Sequence, residues 1–506
     1  MISCANIKTL YRENQCCINP PNHSINTTHL IDLMPDIPSL LSPPSLLSPP
    51  SSPPMPTTPL PSSPPCTLTV QDTGGTLYIY SKDHAVTWKE QIDMGTMPCE
   101  LSMEKCAPRS TPHMVLPSLD HTLVAVSYTT DKYVHIIDAR TRTIVDSLGV
   151  PHIANAKIHT GTWYECSGEL YFVMVDMTGA IDGATGGGGL HLWKIVDSGA
   201  VLLHSWSAPN ALGMFENETK PIAAGGNHAN ANGLLYVTDA KVGGGYFVNI
   251  SSEVISLVSH VSIEQLAPDC NHGGGLWVYA HPTDPSIVVA QYGKQSPGES
   301  CIAFLNIHDA TLVSTIALSE NANDAHGLAF CQHEDNSGQT KTYILNTNRV
   351  SGTLDIIDYD TRSFVSTDID LNSKLLNSFA VNDDTCTEEA PPSERRYQPD
   401  VLTAIKFDSE NSGNGIVYQA SRGRHPKTAV LPQNRLDYAA PGLYSFSVIA
   451  CTTVVRTGDD ISLPAYNAKT TINAADPHGA ELVGDEVWMI DQAPTGSTIY
   501  CDDKVT

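Results

Sequence analysis

A unit of four short apolar segments recurs along this chain of 506 residues, and it constrains the fold more than any other feature. The second half of the unit is an apolar run, a turn rich in Asp and Thr, and another apolar run. Three copies are clearest: HIIDARTRTIVDSL (135–148), FLNIHDATLVSTIAL (304–318) and DIIDYDTRSFVSTDI (355–369). Upstream of each lies a further apolar segment, preceded by a first segment that a histidine introduces. Segments of this length and composition predict β-strands joined by tight turns.

Seven copies of the unit can be traced, and six of them begin at a histidine. The starting residues are His113, His159, His228, His272, His326, Asp400 and His478. Seven repeats of four strands predict an all-β fold, a seven-bladed β-propeller of four-stranded blades. The last unit is short of strands, so we expect a strand within residues 66–82 to complete it. Such pairing of the chain ends closes the ring and removes open sheet edges.

The N-terminal segment differs in composition from the rest of the chain. It contains the Pro/Ser/Leu-rich stretch PSLLSPPSLLSPPSSPPMPTTPLPSSPP (38–65). Such a stretch favours extended polyproline conformations and cannot bury a core. We therefore predict a disordered arm over residues 1–65 and a single propeller domain over residues 66–506.

The pattern of a strand, an IID-x-x-T turn and a second strand, with a Pro/His-Gly entry, resembles the YVTN-type seven-bladed propellers. That superfamily includes the propeller domain of nitrous-oxide reductase, lactonase-like propellers and propeller metallochaperones. The resemblance covers roughly residues 66–506 and implies the architecture. It does not imply one function, because the superfamily hosts several unrelated activities.

Histidines at the start of the first strand predict a site on the propeller axis, because that strand lines the central channel. Imidazole is the commonest ligand of zinc, copper and iron in proteins. We predict a transition-metal site, for zinc or copper, formed by His113, His159, His228, His272, His326 and His478. Asp400 takes the seventh position, and Asp324, Asp476, Asn227 and Asn271 are candidates to orient the imidazole rings.

The resemblance to nitrous-oxide reductase, whose propeller channel holds a copper cluster with a ring of histidines, supports this metal hypothesis. The chain lacks the second, cupredoxin-like domain of that enzyme, so reduction of nitrous oxide is not expected. Taken singly, each histidine also fits a structural role, with its ring hydrogen-bonded to the backbone of the neighbouring blade.

Two other classes of function remain open. The first is a lactonase-like or cyclase-like enzyme that acts on a small molecule in the axial channel, with Arg422 and Arg424 binding a carboxylate or lactone oxygen. The second is a metal-free scaffold that binds a protein partner on one propeller face.

Charge and motifs exclude several classes. The formal net charge is −26, which disfavours a nucleic-acid or anionic-membrane partner and favours cations. No apolar span of 18 residues is present, so no transmembrane segment is predicted. Cys-x-x-Cys, Gly-x-Ser-x-Gly and His-Glu-x-x-His motifs are absent, although Cys99 and Cys106 are close enough in sequence to form a disulfide.

The compartment is left open by the sequence. The first residues contain no apolar signal-peptide core, which makes a cytoplasmic protein the default expectation. Sequons at Asn217 and Asn249 would permit glycosylation if the protein is secreted and its natural start differs from this one.

Overall fold

A computed structural model describes most of residues 112–370 and the strands that complete the fold. The described ranges are 76–81, 87–93, 112–370, 399–404, 414–421, 442–455 and 477–491, with internal gaps at 130, 167, 184, 197–198, 216–217, 227–232, 252, 268, 271–273, 294–297, 336 and 350. The boundary predicted at residue 65 lies outside them.

Within the described ranges, twenty-eight strands form seven antiparallel sheets of four strands each. The sheets are called blades 1–7. Blade 1 contains β3 (Pro112–Pro117), β4 (Leu123–Tyr128), β5 (Tyr133–Asp138) and β6 (Thr143–Gly149). Blade 2 contains β7 (Ile158–Cys166), β8 (Glu169–Asp176), β9 (Gly189–Val196) and β10 (Gly199–Ser207). Blade 3 contains β11 (Pro221–Gly225), β12 (Leu234–Asp239), β13 (Gly244–Ser251) and β14 (Val254–Val261).

The remaining blades follow the same order. Blade 4 contains β15 (Gly274–Ala280), β16 (Ile287–Gly293), β17 (Cys301–Asn306) and β18 (Thr311–Ala317). Blade 5 contains β19 (Ala325–Glu334), β20 (Thr340–Asn348), β21 (Thr353–Asp358) and β22 (Ser363–Asp370). Blade 6 contains β23 (Pro399–Ala404), β24 (Gly415–Ser421), β25 (Gly442–Ile449) and β26 (Thr453–Val455). Blade 7 contains β27 (Pro477–Val483) and β28 (Glu486–Asp491), with β1 (Thr76–Ser81) and β2 (Thr87–Asp93) from the other end of the chain.

The first strands of the seven blades form a closed ring. Each contacts the first strands of the blades on either side, from β3 through β7, β11, β15, β19 and β23 to β27 and back to β3. The apolar core lies mainly between the faces of neighbouring blades. For this reason the inner strands β4 and β16 are almost entirely buried, whereas the outermost β6 and β18 begin with alternating exposed and half-buried positions. The protein is a seven-bladed β-propeller.

The ring closes as the sequence predicted. Strand β1, which lies within residues 66–82, pairs antiparallel with β28 over its whole length, from Thr76 opposite Asp491 to Ser81 opposite Glu486. Strand β2 pairs with β1 and supplies the outermost strand. Blade 7 is thus built from both chain ends, which leaves no unpaired inner edge.

The predicted start of the third unit was wrong. The first strand of blade 3 is β11, PIAAG, which comes before His228 rather than after it. This strand is short and contains no histidine, so the repeat pattern did not reveal it. His228 itself lies outside the described residues.

Two disulfides join described cysteines, and neither was predicted. Cys270 pairs with Cys301 beside blade 4, and Cys331 of β19 pairs with Cys451 in the turn between β25 and β26. The second bond links blade 5 to blade 6. Cys99 and Cys106 lie outside the described residues.

Among the described residues, two short helices interrupt the strands: α1 (Ala208–Leu212) and α2 (Ile263–Leu266). Ser207 caps α1, and the side chain of Gln265 accepts from the Ser262 backbone N–H at the start of α2. In the described part of the chain, no helix has the length and apolar character needed to span a membrane. Asn249 lies within strand β13 with its side-chain oxygen buried, so this sequon is not on an exposed loop.

Candidate functional site: the axial channel

Every first strand carries a β-bulge near its start. In each blade, one extra residue on the first strand faces the second strand at this place. A bulge leaves one or two residues outside the ladder and redirects their side chains. The residues at the bulges are His113–Met114, His159, Ile222, Leu276–Trp277, His326, Asp400 and His478–Gly479. This position therefore has the same irregular backbone in all seven blades, and a histidine occupies it in four of them.

Four of the predicted histidines meet at the axis. The His113 ring centroid lies 4.1 Å from that of His159 and 3.8 Å from that of His478, and His326 lies 5.8 Å from His478. The indole of Trp277 lies 5.3–6.2 Å from all four rings. We call these five residues the histidine cluster. All except His159, which is half-buried, are at most 5% exposed.

Two of these rings donate hydrogen bonds to the backbone of the next blade. His113 Nδ1 donates to the carbonyl oxygen of His159 at 2.9 Å, and His159 Nδ1 donates to that of Ile222 at 2.9 Å. Because a carbonyl can only accept, Nδ1 carries the proton in the neutral ring and Nε2 carries the lone pair. Gly479 allows the close approach on the other side of blade 1, where an added Cβ would lie 2.9 Å from the His113 carbonyl oxygen. These contacts join blades 7, 1, 2 and 3 around the channel.

His159 is neutral at ordinary pH. Burial, together with repulsion from His478, lowers the pKa of His159 to about 3, although its bond to the Ile222 carbonyl acts in the opposite direction. Several imidazolium rings cannot share so small a volume.

His326 is held by an ion pair at the start of blade 5. Arg349 Nε donates to Asp324 Oδ2 at 2.9 Å, and Arg349 Nη1 lies 3.4 Å from His326 Nε2, which must accept because guanidinium only donates. The Asp324 carboxylate lies 3.8 Å from His326 Nδ1. Burial by itself raises the pKa of Asp324, but the interaction with His326 and the charge of Arg349 outweigh it and lower that pKa. Asp324 therefore lies beside His326, with Arg349 as a partner that the sequence did not indicate. That Asp324 orients the ring of His326 for a metal stays a prediction.

The described histidines do not fit a ready-made metal centre. A tetrahedral site needs several nitrogen atoms about 2 Å from one point. Within the described ranges, no group of three or more His, Cys, Asp or Glu side chains could hold a metal ion. The rings of His113, His159 and His478 pack against one another instead, and the lone pair of His326 faces the Arg349 cation.

The other predicted site residues are not brought into this cluster by the described structure. Asp400 lies at the bulge of β23, and nothing further is described of its side chain. Ile222 and Leu276–Trp277 hold the bulges of blades 3 and 4, where His228 and His272 had been expected. Residues outside the described ranges are His228, His272, Asp476, Asn227, Asn271, Arg422 and Arg424.

A cavity of about 320 Å³ continues the channel beyond the histidine cluster. Residues of β3, β7, β11, β15 and β27 line it, and Trp277 belongs both to this cavity and to the cluster. Small residues at the end of β11 and just after it, Ala223 to Gly226, leave the space open, while Trp163, Trp277 and Tyr279 supply aromatic walls. The sequence analysis did not find this cavity, because residues from five blades meet only when the ring closes.

Glu481 is the charged residue of the cavity wall, three positions after His478 on β27. Part of its surface opens to the channel, yet the carboxyl group lies deep in the protein. Burial raises the pKa of Glu481 to about 8, against a smaller lowering by the backbone N–H of Leu482. A carboxyl group tuned to neutral pH inside a cavity is typical of functional sites.

Comparisons with known proteins give distant structural similarity and no family. No family model and no curated protein matches it. A solved β-propeller domain of Cps50 (Swd1) from Myceliophteria thermophila is 9% identical, with 69% of this chain and 88% of that chain covered and a TM-score of 0.41. The Dos1 propeller is 10% identical, with 78% and 82% covered and a TM-score of 0.42. The dihydro-heme d1 dehydrogenase NirN is 13% identical, with 71% and 60% covered and a TM-score of 0.39. Similarity this low transfers no function.

Proposed function

We propose that this propeller binds a small molecule in its axial channel. The observation that carries the proposal is the cavity of about 320 Å³, which combines apolar and aromatic walls with one carboxyl group, that of Glu481. Small-molecule sites are concave, mainly apolar and furnished with few polar groups, and their volumes begin near about 300 Å³. The negative charge of the chain adds a field that attracts cationic ligands.

A thermal-shift screen with a cavity-filling variant tests the proposal. Ala223 lies in the cavity wall, 4% exposed, and packs in one cluster with Met114 and Trp277. The variant Ala223→Met should lose the stabilisation by any ligand that raises the melting temperature of the wild type, because the new side chain occupies the site. Val145→Met introduces the same side chain at a position of β6 that is 54% exposed, so it should keep the full shift. Ligands that stabilise Ala223→Met as much as the wild type would place the site elsewhere.

Metal binding is the second candidate. The observation that favours it is the hydrogen bonding of His113 and His159, which puts the proton of each neutral ring on Nδ1 and the lone pair on Nε2, a kind of atom that ligates zinc and copper. The described rings would have to rearrange to share an ion. Elemental analysis of purified protein and melts with zinc or copper at pH 7.5 test it. A metal-dependent shift that disappears in His113→Ala/His159→Ala supports it, and no bound metal with no shift would end it.

A lactonase-like activity depends on Arg422 and Arg424, outside the described residues, and stays a prediction. Loss of lactone turnover on replacing either arginine, with no change on metal chelation, would favour it over the first two proposals. A protein with no small-molecule, metal or turnover response fits the scaffold class.

A further inference from the structure

The cavity is chemically asymmetric. Its walls contain fifteen described residues that carry no charge and one, Glu481, that does. Glu481 of blade 7 corresponds to Leu116 of blade 1. Ala480 and Val115 are the first paired residues after the bulges of these two blades, and Glu481 and Leu116 follow them directly. One blade therefore places a carboxyl group where another places a hydrocarbon.

Nothing described around Glu481 compensates its charge. Burial dominates its environment, and the one stabilising contribution is the backbone N–H of Leu482. Among described residues no Lys or Arg forms an ion pair with it. A carboxylate in such a place loses hydration without gaining a partner, which is unfavourable unless it is protonated or a cation enters. The channel space beside it has room for such a cation.

The aromatic walls favour the same class of ligand. Trp163, Trp277 and Tyr279 line the cavity with Glu481, and Trp is the ring that attracts cations most strongly. Trp277 is 4% exposed, so its ring is part of a closely packed wall.

We propose that the cavity recognises a small organic cation, an ammonium group substituted with methyl or alkyl groups, held between the Glu481 carboxylate and the aromatic rings. This inference names the ligand class for the site and rests on the proposed function above. Hard metal cations are poor candidates here. They require six or more oxygen ligands. The walls offer one carboxylate, the hydroxyls of Thr160 and Thr162, and otherwise mainly apolar groups.

Calorimetric titration with two molecules of one shape tests the inference. Choline carries a quaternary ammonium, and 3,3-dimethylbutan-1-ol replaces its nitrogen by carbon and is neutral. We expect choline to bind the wild type at least tenfold more tightly than the alcohol. Glu481→Gln keeps the shape and removes the charge, so it should abolish most of this preference. Glu320→Gln, at an exposed turn, should keep it.

A second variant addresses the aromatic wall. Trp277→Phe retains a ring and should keep most of the affinity for choline, whereas Trp277→Leu should reduce it at least tenfold. A melt of each variant confirms that it folds.

Equal binding of choline and the alcohol, or choline binding that survives Glu481→Gln unchanged, would overturn the cation class while leaving the channel site in place. A channel that binds ligands sensitive to Ala223→Met but neither ammonium compound would also overturn it. If no ligand of any kind depends on Ala223, the proposed function itself fails.

Discussion

His113 and Ser127 donate to the same acceptor, the carbonyl oxygen of His159 in the next blade, at 2.9 and 2.8 Å. Either donor alone keeps that buried carbonyl satisfied. We expect His113→Phe and Ser127→Ala each to lower the free energy of unfolding by about 0.5–1.5 kcal/mol. The double variant should lose about 1–3 kcal/mol beyond their sum, because the carbonyl is then left without either side-chain donor. Urea denaturation of the four proteins measures this, and additive losses would contradict a shared acceptor.

Glu481 predicts a characteristic pH dependence. Its pKa is raised from 4.5 in the unfolded chain to about 8 in the folded protein. Between these values the unfolded state releases the proton and the folded state keeps it, so stability falls as pH rises through this range. Glu481→Gln removes this contribution. The variant should match the wild type near pH 4.5 and exceed it in stability near pH 8.5, by up to a few kcal/mol at about 1.4 kcal/mol per pKa unit. Equal stabilities at both pH values would contradict the raised pKa.

For single residues, the sequence predicted that histidines lie at the start of first strands, but it did not predict which side chains surround them. The recurrence of a histidine before an apolar strand correctly indicated that His113, His159, His326 and His478 share a structural position. Trp277 and Ile222 occupy the corresponding bulges of blades 3 and 4, and neither resembles histidine, so pattern matching assigned His228 and His272 instead. Glu481 could have been noticed as a charge inside a first strand, yet its isolation depends on residues from other blades.

Strands β1 and β2 close the ring at the level of elements. Removing residues 1–60 should leave the fold and its melting temperature nearly unchanged, because a stretch of that low-complexity composition is not expected to bury a core. Removing residues 1–93 also deletes β1 and β2 and exposes the edge of β28, a site for strand addition by another chain. We expect that protein to aggregate or melt far lower, as judged by size-exclusion chromatography and thermal melts. A soluble, monomeric 94–506 fragment with an unchanged melt would contradict closure by β1.

The disulfide between Cys331 and Cys451 links blades 5 and 6 across 120 residues of sequence. Long closed loops gain the most from such bonds, so Cys331→Ala/Cys451→Ala should lower the free energy of unfolding by about 2–5 kcal/mol. Reducing agent should lower the melting temperature of the wild type and have a smaller effect on this variant, which retains the Cys270–Cys301 bond. Identical melts for the wild type and the variant would contradict the link.

Disulfides persist in oxidising compartments, which favours the secreted alternative over the cytoplasmic one.

For the whole molecule, the repeat was sufficient to predict seven blades and the joining of the chain ends. Each unit exposes an apolar face that only a neighbouring blade can cover, so period and patterning determine the ring. The channel cavity could not be predicted in this way. Its volume depends on which small residues of β11 meet the aromatic residues of β7 and β15, and no local pattern encodes that meeting.

A crystallographic ligand experiment tests the central claim most directly. Crystals soaked with (2-bromoethyl)trimethylammonium, a bromine-labelled organic cation, allow the ligand to be located by anomalous scattering. The account predicts one bromine peak on the propeller axis, inside the cavity between Trp277 and Glu481, that is absent in Ala223→Met crystals treated alike. Clear density for an empty channel in the wild type, or bromine bound only on the outer surface, would contradict it.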